Sequence, residues 1–163
     1  MYLDNVQILG FRASIGSVGE TLDKINSIKK DGEIIQLLDA DSIVSKNHVI
    51  HGVNQAFLAF ERGENLAKDI SVEIVLRISA QRQISKAFKM LGLREGQMNL
   101  CAVMIGCDDC TSRMSSLFEL DDGVLEPDYD NLIRTYNISK EELERMSVED
   151  IIIDRITKLT VDY

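Results

Sequence analysis

The chain has no tryptophan, one proline, two histidines and three cysteines in 163 residues. Each scarcity excludes something. With so little proline and no low-complexity tract, there is no composition for a linker or a disordered tail. A small, odd cysteine count in a chain long enough to bury a full core argues against a disulfide-stapled scaffold of the secreted type. No apolar run approaches the ~20 residues needed to cross a bilayer, and Met1-Tyr-Leu-Asp-Asn lacks the charged segment that opens a secretion signal. The expectation is therefore a cytoplasmic protein without membrane association. The loops that cradle phosphates or raise a nucleophile, GxGxxG, GxxxxGK followed by Ser or Thr, and GxSxG, are missing too. No catalytic residue, cofactor or metal is assigned.

What is present fits one domain over residues 1–163, since 45% of the residues are hydrophobic. Apolar periodicity predicts strands at 6–12, 33–38, 71–78 and 98–105, and helices at 21–29, 48–61 and 111–118. In 71–78 the strand reading rests on Val72, Ile74, Leu76 and Ile78 alternating with more polar neighbours. In 48–61 the inner stripe is Val49, Val53, Ala56, Phe57 and Phe60.

A charge anomaly interrupts this pattern. Between Arg77 and Arg94 stand Arg77, Arg82, Lys86, Lys89 and Arg94 with no Asp or Glu, although the whole chain carries a net charge of −9. Residues 79–92 predict an amphipathic helix: Ser79 as the N-cap, Ile84, Ala87, Phe88 and Leu91 on the inner face, and Gly92 as a left-handed stop. Arg82, Lys86 and Lys89 then lie outward, a local cationic face able to attract phosphate.

The converse occurs at 119–130, with six acids and no base around the turn signals Asp122-Gly123 and Glu126-Pro127. It reads as a solvated loop, with a contact for a basic partner as the alternative. The C-terminal third is helical. Ser139-Lys-Glu-Glu142 and Ser147-Val-Glu-Asp150 each place a hydroxyl at an N-cap with a carboxylate three residues on. In the last helix Val148, Ile152, Ile156 and Leu159 form a core stripe, but Ile151 and Ile153 widen the apolar arc on either side. Such an arc suits either a deeply buried helix or one that docks a partner.

Other constellations are weaker. His48 and His51, three apart on one helix, could face the same way as metal ligands or as a base pair. Cys107-Asp-Asp-Cys110 has half a zinc site's spacing; completing it would take Cys101, the histidines or acids, and loop thiols are the preferred reading.

Arg82-Gln83-Ile84 with Ala87 and Gly92, together with His51, Ala56, Ala59, Phe60, Asn65 and Ala67 upstream, resembles the PRPK-binding protein (TPRKB) family. Members of that family are small accessory subunits of the KEOPS tRNA-modification complex. The resemblance is strongest over 48–92 and implies an α/β fold, a mixed or antiparallel sheet flanked by helices. It also implies a non-catalytic, regulatory role with two contacts. One is the atypical kinase/ATPase subunit of KEOPS, for which the candidates are Ile153, Ile152 and Ile156. The other is tRNA, held by its CCA tail for threonylcarbamoyl-adenosine formation beside the anticodon; the candidates are Arg82, Lys86, Gln83, Gln81 and His51. The alternative is an adaptor that regulates the kinase subunit without binding RNA.

Overall fold

The computed structural model describes residues 5–159. Its centre is an antiparallel sheet in the order β2-β3-β1-β4, made of β1 (Val6–Ile15), β2 (Ile34–Asp39), β3 (Gly96–Ile105) and the two-residue β4 (Glu119–Leu120). β3 sits between β1 and β2, pairing Val6 with Ile105 on one side and Ile34 with Ile105 on the other. That position explains its near-continuous apolar sequence, because Leu100 to Met104 meet protein on both faces.

The two faces follow the period of two. Cys101, Val103 and Ile105 join a core built with α2 (Lys46–Arg62), α3 (Ile70–Ser79) and α4 (Ile84–Leu91). Met98, Leu100, Ala102 and Met104 join a second core with α1 (Val18–Ile28) and α5 (Cys110–Ser115). A third cluster joins α6 (Tyr129–Thr135) to α8 (Val148–Leu159), with Leu132, Tyr136, Ile151, Ile152 and Ile156 at its centre. Between them α7 (Lys140–Leu143) carries the capping box expected at Ser139, closed reciprocally with Glu142. Among the described residues no helix is long and apolar enough to cross a membrane.

The α/β class with a helical C-terminal third is as expected, but one element changes type. Residues 71–78 are not a strand; they lie within α3, capped by Asp69, whose carboxylate accepts from the Ser71 and Val72 amides. The alternation misled because it took Glu73 and Arg77 for an exposed face. Both are fully buried, joined by a 2.7 Å ion pair one helical turn apart. Glu73 Oε1 also accepts from the Leu66 and Ala67 amides. An all-round buried helix has no polar side, so the period of 3.6 that marks an amphipathic helix is absent and the β-branched residues suggest a strand. α3 also packs closely on α2: a Cβ on Gly52 would stand 2.4 Å from Ile78 Cγ1.

Candidate nucleic-acid interface

The basic segment folds differently from the expected 79–92 helix. Ser79 ends α3, its hydroxyl donating to the Leu76 carbonyl, and Ala80 turns the chain at φ 56°. α4 begins only at Ile84, with Gln83 at the N-cap position and no side-chain cap bond. Gly92 stops it in an extended conformation, not a left-handed one; a Cβ there would lie 2.4 Å from the Phe88 carbonyl oxygen. Ala87 and Leu91 are buried, but Ile84 and Phe88 are 51% and 37% exposed. An eight-residue helix resting on α3 buries only a narrow strip, and at about 100° per residue Ile84 and Phe88 fall at its edge.

Arg77 leaves the cationic surface because Glu73 holds it inside. Three of the remaining cations, Lys86, Lys89 and Arg94, flank a cleft of about 490 Å³ between α4, the 3₁₀ turn Ala40–Ser42 and α6. Gln81, Lys86, Lys89 and Arg94 line it, opposite Asp39 and Asp41. Arg94 Nη1 donates to Asp39 Oδ2 at 2.5 Å. Burial, and then the neighbouring Asp39 charge, push the Asp41 carboxyl above its usual range. Three cations against two carboxylates, with amide and hydroxyl groups between them, form a site that can hold a phosphate while offering hydrogen bonds to sugar or base.

The five sequence candidates divide among three places. Gln81 and Lys86 lie on the cleft, and Gln83 is exposed at the head of α4. Arg82 turns toward the end of α8, where its Nη2 donates to the Leu159 carbonyl at 2.8 Å. His51 lies 2.8 Å from Thr157 Oγ1 on the same helix. Since that hydroxyl donates to the Ile153 carbonyl, His51 Nε2–H is the donor. Burial lowers the His51 pKa. Lys89 and Arg94, noted only as part of the basic island, belong to the cleft as well; Asp39, Asp41 and Asn131 were not legible because they arrive from distant elements.

On α8, Ser147 caps the start through the Asp150 amide as expected. Ile152 and Ile156 are fully buried in the chain's own third core, and Ile151 is nearly so. The wide apolar arc is therefore mostly inward. Of the three docking candidates only Ile153 reaches the surface, half-buried.

The remaining motifs resolve locally. His48 is buried, its Nδ1 accepting from the Val44 amide and its Nε2–H donating to the Ile78 carbonyl at 2.8 Å, and burial pulls its pKa down to about 4. Cys107 and Cys110 are joined by a disulfide instead of standing as loop thiols, because the turn at Gly106 folds both into the second core. Cys101 is the free cysteine, its thiol pushed up to about 12 by burial. The acidic run 119–130 is ordered structure. β4 pairs with β1, Asp121 binds Arg12, Asp122 accepts from the Gly10 amide, and Asp128 caps α6.

Comparison with known proteins agrees with the resemblance in 48–92. Residues 14–158 match the family described as kinase binding protein CGI-121. The chain is 33% identical over 140 residues to the regulatory protein Cgi121 of Methanocaldococcus jannaschii, covering 77% of this chain and 90% of that one. It is 41% identical over 64 residues to the KEOPS complex subunit Cgi121 of Pyrococcus abyssi, covering 39% and 37% of the two chains. With the match running from the end of β1 through the basic cleft to α8, this chain belongs to the CGI-121 kinase binding protein family.

Proposed function

We propose that this protein is a non-catalytic KEOPS subunit that binds the complex's kinase/ATPase subunit through α8. It recruits tRNA by its CCA tail for threonylcarbamoyl-adenosine modification next to the anticodon. The observation that carries the RNA half of this reading is the cleft itself, where Lys86, Lys89 and Arg94 converge in a chain of net charge −9. An acidic protein repels nucleic acid in general, so RNA binding must be local and confined to such a site. A single-stranded tail suits a cleft of this size, since it needs only a few phosphate contacts and exposes its base edges.

The test is binding of the purified protein to full-length tRNA and to the same tRNA without its CCA tail, over a salt series. Tail-dependent binding is expected. Lys86→Glu should weaken it about tenfold, ~1.4 kcal/mol, and lower the salt slope by about one. Equal binding of both tRNAs, or an unchanged Lys86→Glu affinity, would remove the cleft from RNA recognition. Binding of neither favours the adaptor without an RNA role, a reading supported by Asp39 and Asp41 in the same cleft.

For the kinase half, Ile153 is the outer contact, with Ile152 and Ile156 anchoring the helix from within. Ile153→Glu should lower affinity for the kinase subunit more than tenfold, as loss of a central apolar anchor does, while leaving the melting temperature near wild type. A variant that still co-purifies with that subunit at full yield would move the docking surface off α8.

A further inference from the structure

Cys107 and Cys110 flank the turn from β3 into α5, and Glu33 approaches them from the segment preceding β2. The two sulfurs and a Glu33 oxygen all lie within 4.8 Å of one another. None of the three lines the basic cleft or α8. From this geometry we infer that, once the disulfide is reduced, Cys107 Sγ, Cys110 Sγ and a Glu33 carboxylate oxygen form a three-ligand site for a thiophilic divalent cation of the zinc class, with water in the fourth position.

Distance, charge and support each favour this site. Ligands bound to one zinc ion at ~2.0–2.3 Å stand at most ~4.6 Å apart, so the three atoms need only small movements to share an ion, beyond the parting of the two sulfurs. Two thiolates and a carboxylate carry three negative charges. A divalent cation leaves one, and the Arg113 guanidinium is in position to balance it. Arg113 Nη2 lies 3.4 Å from Cys110 Sγ and 2.8 Å from Glu33 Oε2, and Nη1 lies 2.9 Å from Glu33 Oε1. With the Lys30 amide donating to Glu33 Oε1 at 2.7 Å, these bonds fix the carboxylate as an outer shell fixes a ligand. Arg113 Nε is moreover a buried donor with no partner, alone in this among the described residues. What the disulfide form lacks at this spot is a hydrogen-bond acceptor, since the guanidinium charge is already met by Glu33 and by Asp109 Oδ1 at 2.8 Å, and thiolate sulfurs accept more strongly than a disulfide does.

The cysteines are 3% and 0% exposed and pack beside Met114 in an apolar core, an environment that suits soft thiolate ligands. The chemistry is reversible. Two molecules of a low-molecular-weight thiol, RSH, reduce the disulfide through a mixed disulfide. The protein S–S bond breaks, RSSR forms, and the two electrons and two protons stay on Cys107 and Cys110 as thiols. Binding of the cation releases those two protons, and reoxidation of the sulfurs expels the cation. The occupied site ties the segment before β2 to the β3–α5 turn, so its occupancy follows the thiol redox poise.

The experiment is an anaerobic titration of the fully reduced, full-length protein with cobalt(II), followed by its sulfur-to-cobalt charge-transfer absorption and then by zinc competition. One equivalent of cobalt, a thiolate band and displacement by zinc are expected, with no band from the disulfide form. Cys110→Ser should weaken or abolish the band, and Cys101→Ala should retain it. Glu33→Gln should keep the band but lose at least tenfold in affinity. No charge-transfer band from the reduced wild-type protein would overturn the site regardless of how any variant folds. A band undiminished in Cys110→Ser, or Glu33→Gln binding cobalt with unchanged affinity, would overturn the ligand set.

Discussion

Glu73→Ala is expected to destabilise the protein by about 3–5 kcal/mol, the range for breaking a buried ion pair from one side. The substitution leaves the Arg77 guanidinium inside the core without the carboxylate now 2.7 Å from its Nε. It also takes the acceptor from the Leu66 and Ala67 amides, at 2.8 and 2.7 Å. Three donors each lose a partner, those on Arg77 and Ala67 in buried positions, and unsatisfied buried groups cost more than the original bonds contributed. In urea denaturation the midpoint should fall with little change in m, and the melting temperature should drop by roughly 10 °C for a chain of this size. The pair itself is a poor stabiliser against an apolar replacement. Glu73→Leu combined with Arg77→Met should recover a large part of the loss, because neither charge then has to be desolvated. A single-variant cost below about 1 kcal/mol would mean that water reaches Arg77.

The second large effect is a pH dependence centred on His48. In the folded protein the ring is neutral, buried against Tyr136 and bonded at both nitrogens, with its pKa drawn down to about 4. In the unfolded chain it returns to about 6.5. Between those values the unfolded state binds a proton that the folded state refuses, so stability falls as the pH falls. His48 thus contributes its full stabilisation above about pH 6.5, and about 3 kcal/mol of it is lost by about pH 4. His51, with its pKa also lowered, adds in the same direction. Comparing wild type with His48→Gln in urea at several pH values isolates the effect. The variant should start less stable near neutrality and lose less on acidification; parallel curves would show that His48 titrates normally.

Legibility in the sequence followed the range of the interactions involved. β3 was readable because a central strand is apolar on both faces, and α2 because Val49, Val53, Ala56 and Phe57 repeat at helical spacing along one buried side. The Ser139 and Ser147 starts were readable because a cap is a bond between residues three apart. α3 was not, since its polar residues satisfy each other inside the core and so imitate a strand's alternating face. Ile84 and Phe88 fit a helix stripe, yet their burial depended on how much of α4 the neighbouring α3 could cover.

The candidate site divides the same way. A basic stretch free of acids could be seen along the chain, and Lys86 and Gln81 came from it directly. That Arg77 is withdrawn by Glu73, that Asp39 and Asp41 face the lysines, and that Arg82 reaches the end of α8 depend on packing between elements. The same holds for Glu33, 74 residues before Cys107, without which the two cysteines are only half a site. The sequence by itself determined the elements other than α3, β4 and α6, the caps at Ser139 and Ser147, the family and the position of the cationic segment, all of which rest on neighbouring residues and local periodicity. Which charges remain at the surface, which isoleucines are spent on the core and which distant ligands meet was decided by the tertiary structure alone, because burial and pairing are properties of surfaces brought together from separate parts of the chain.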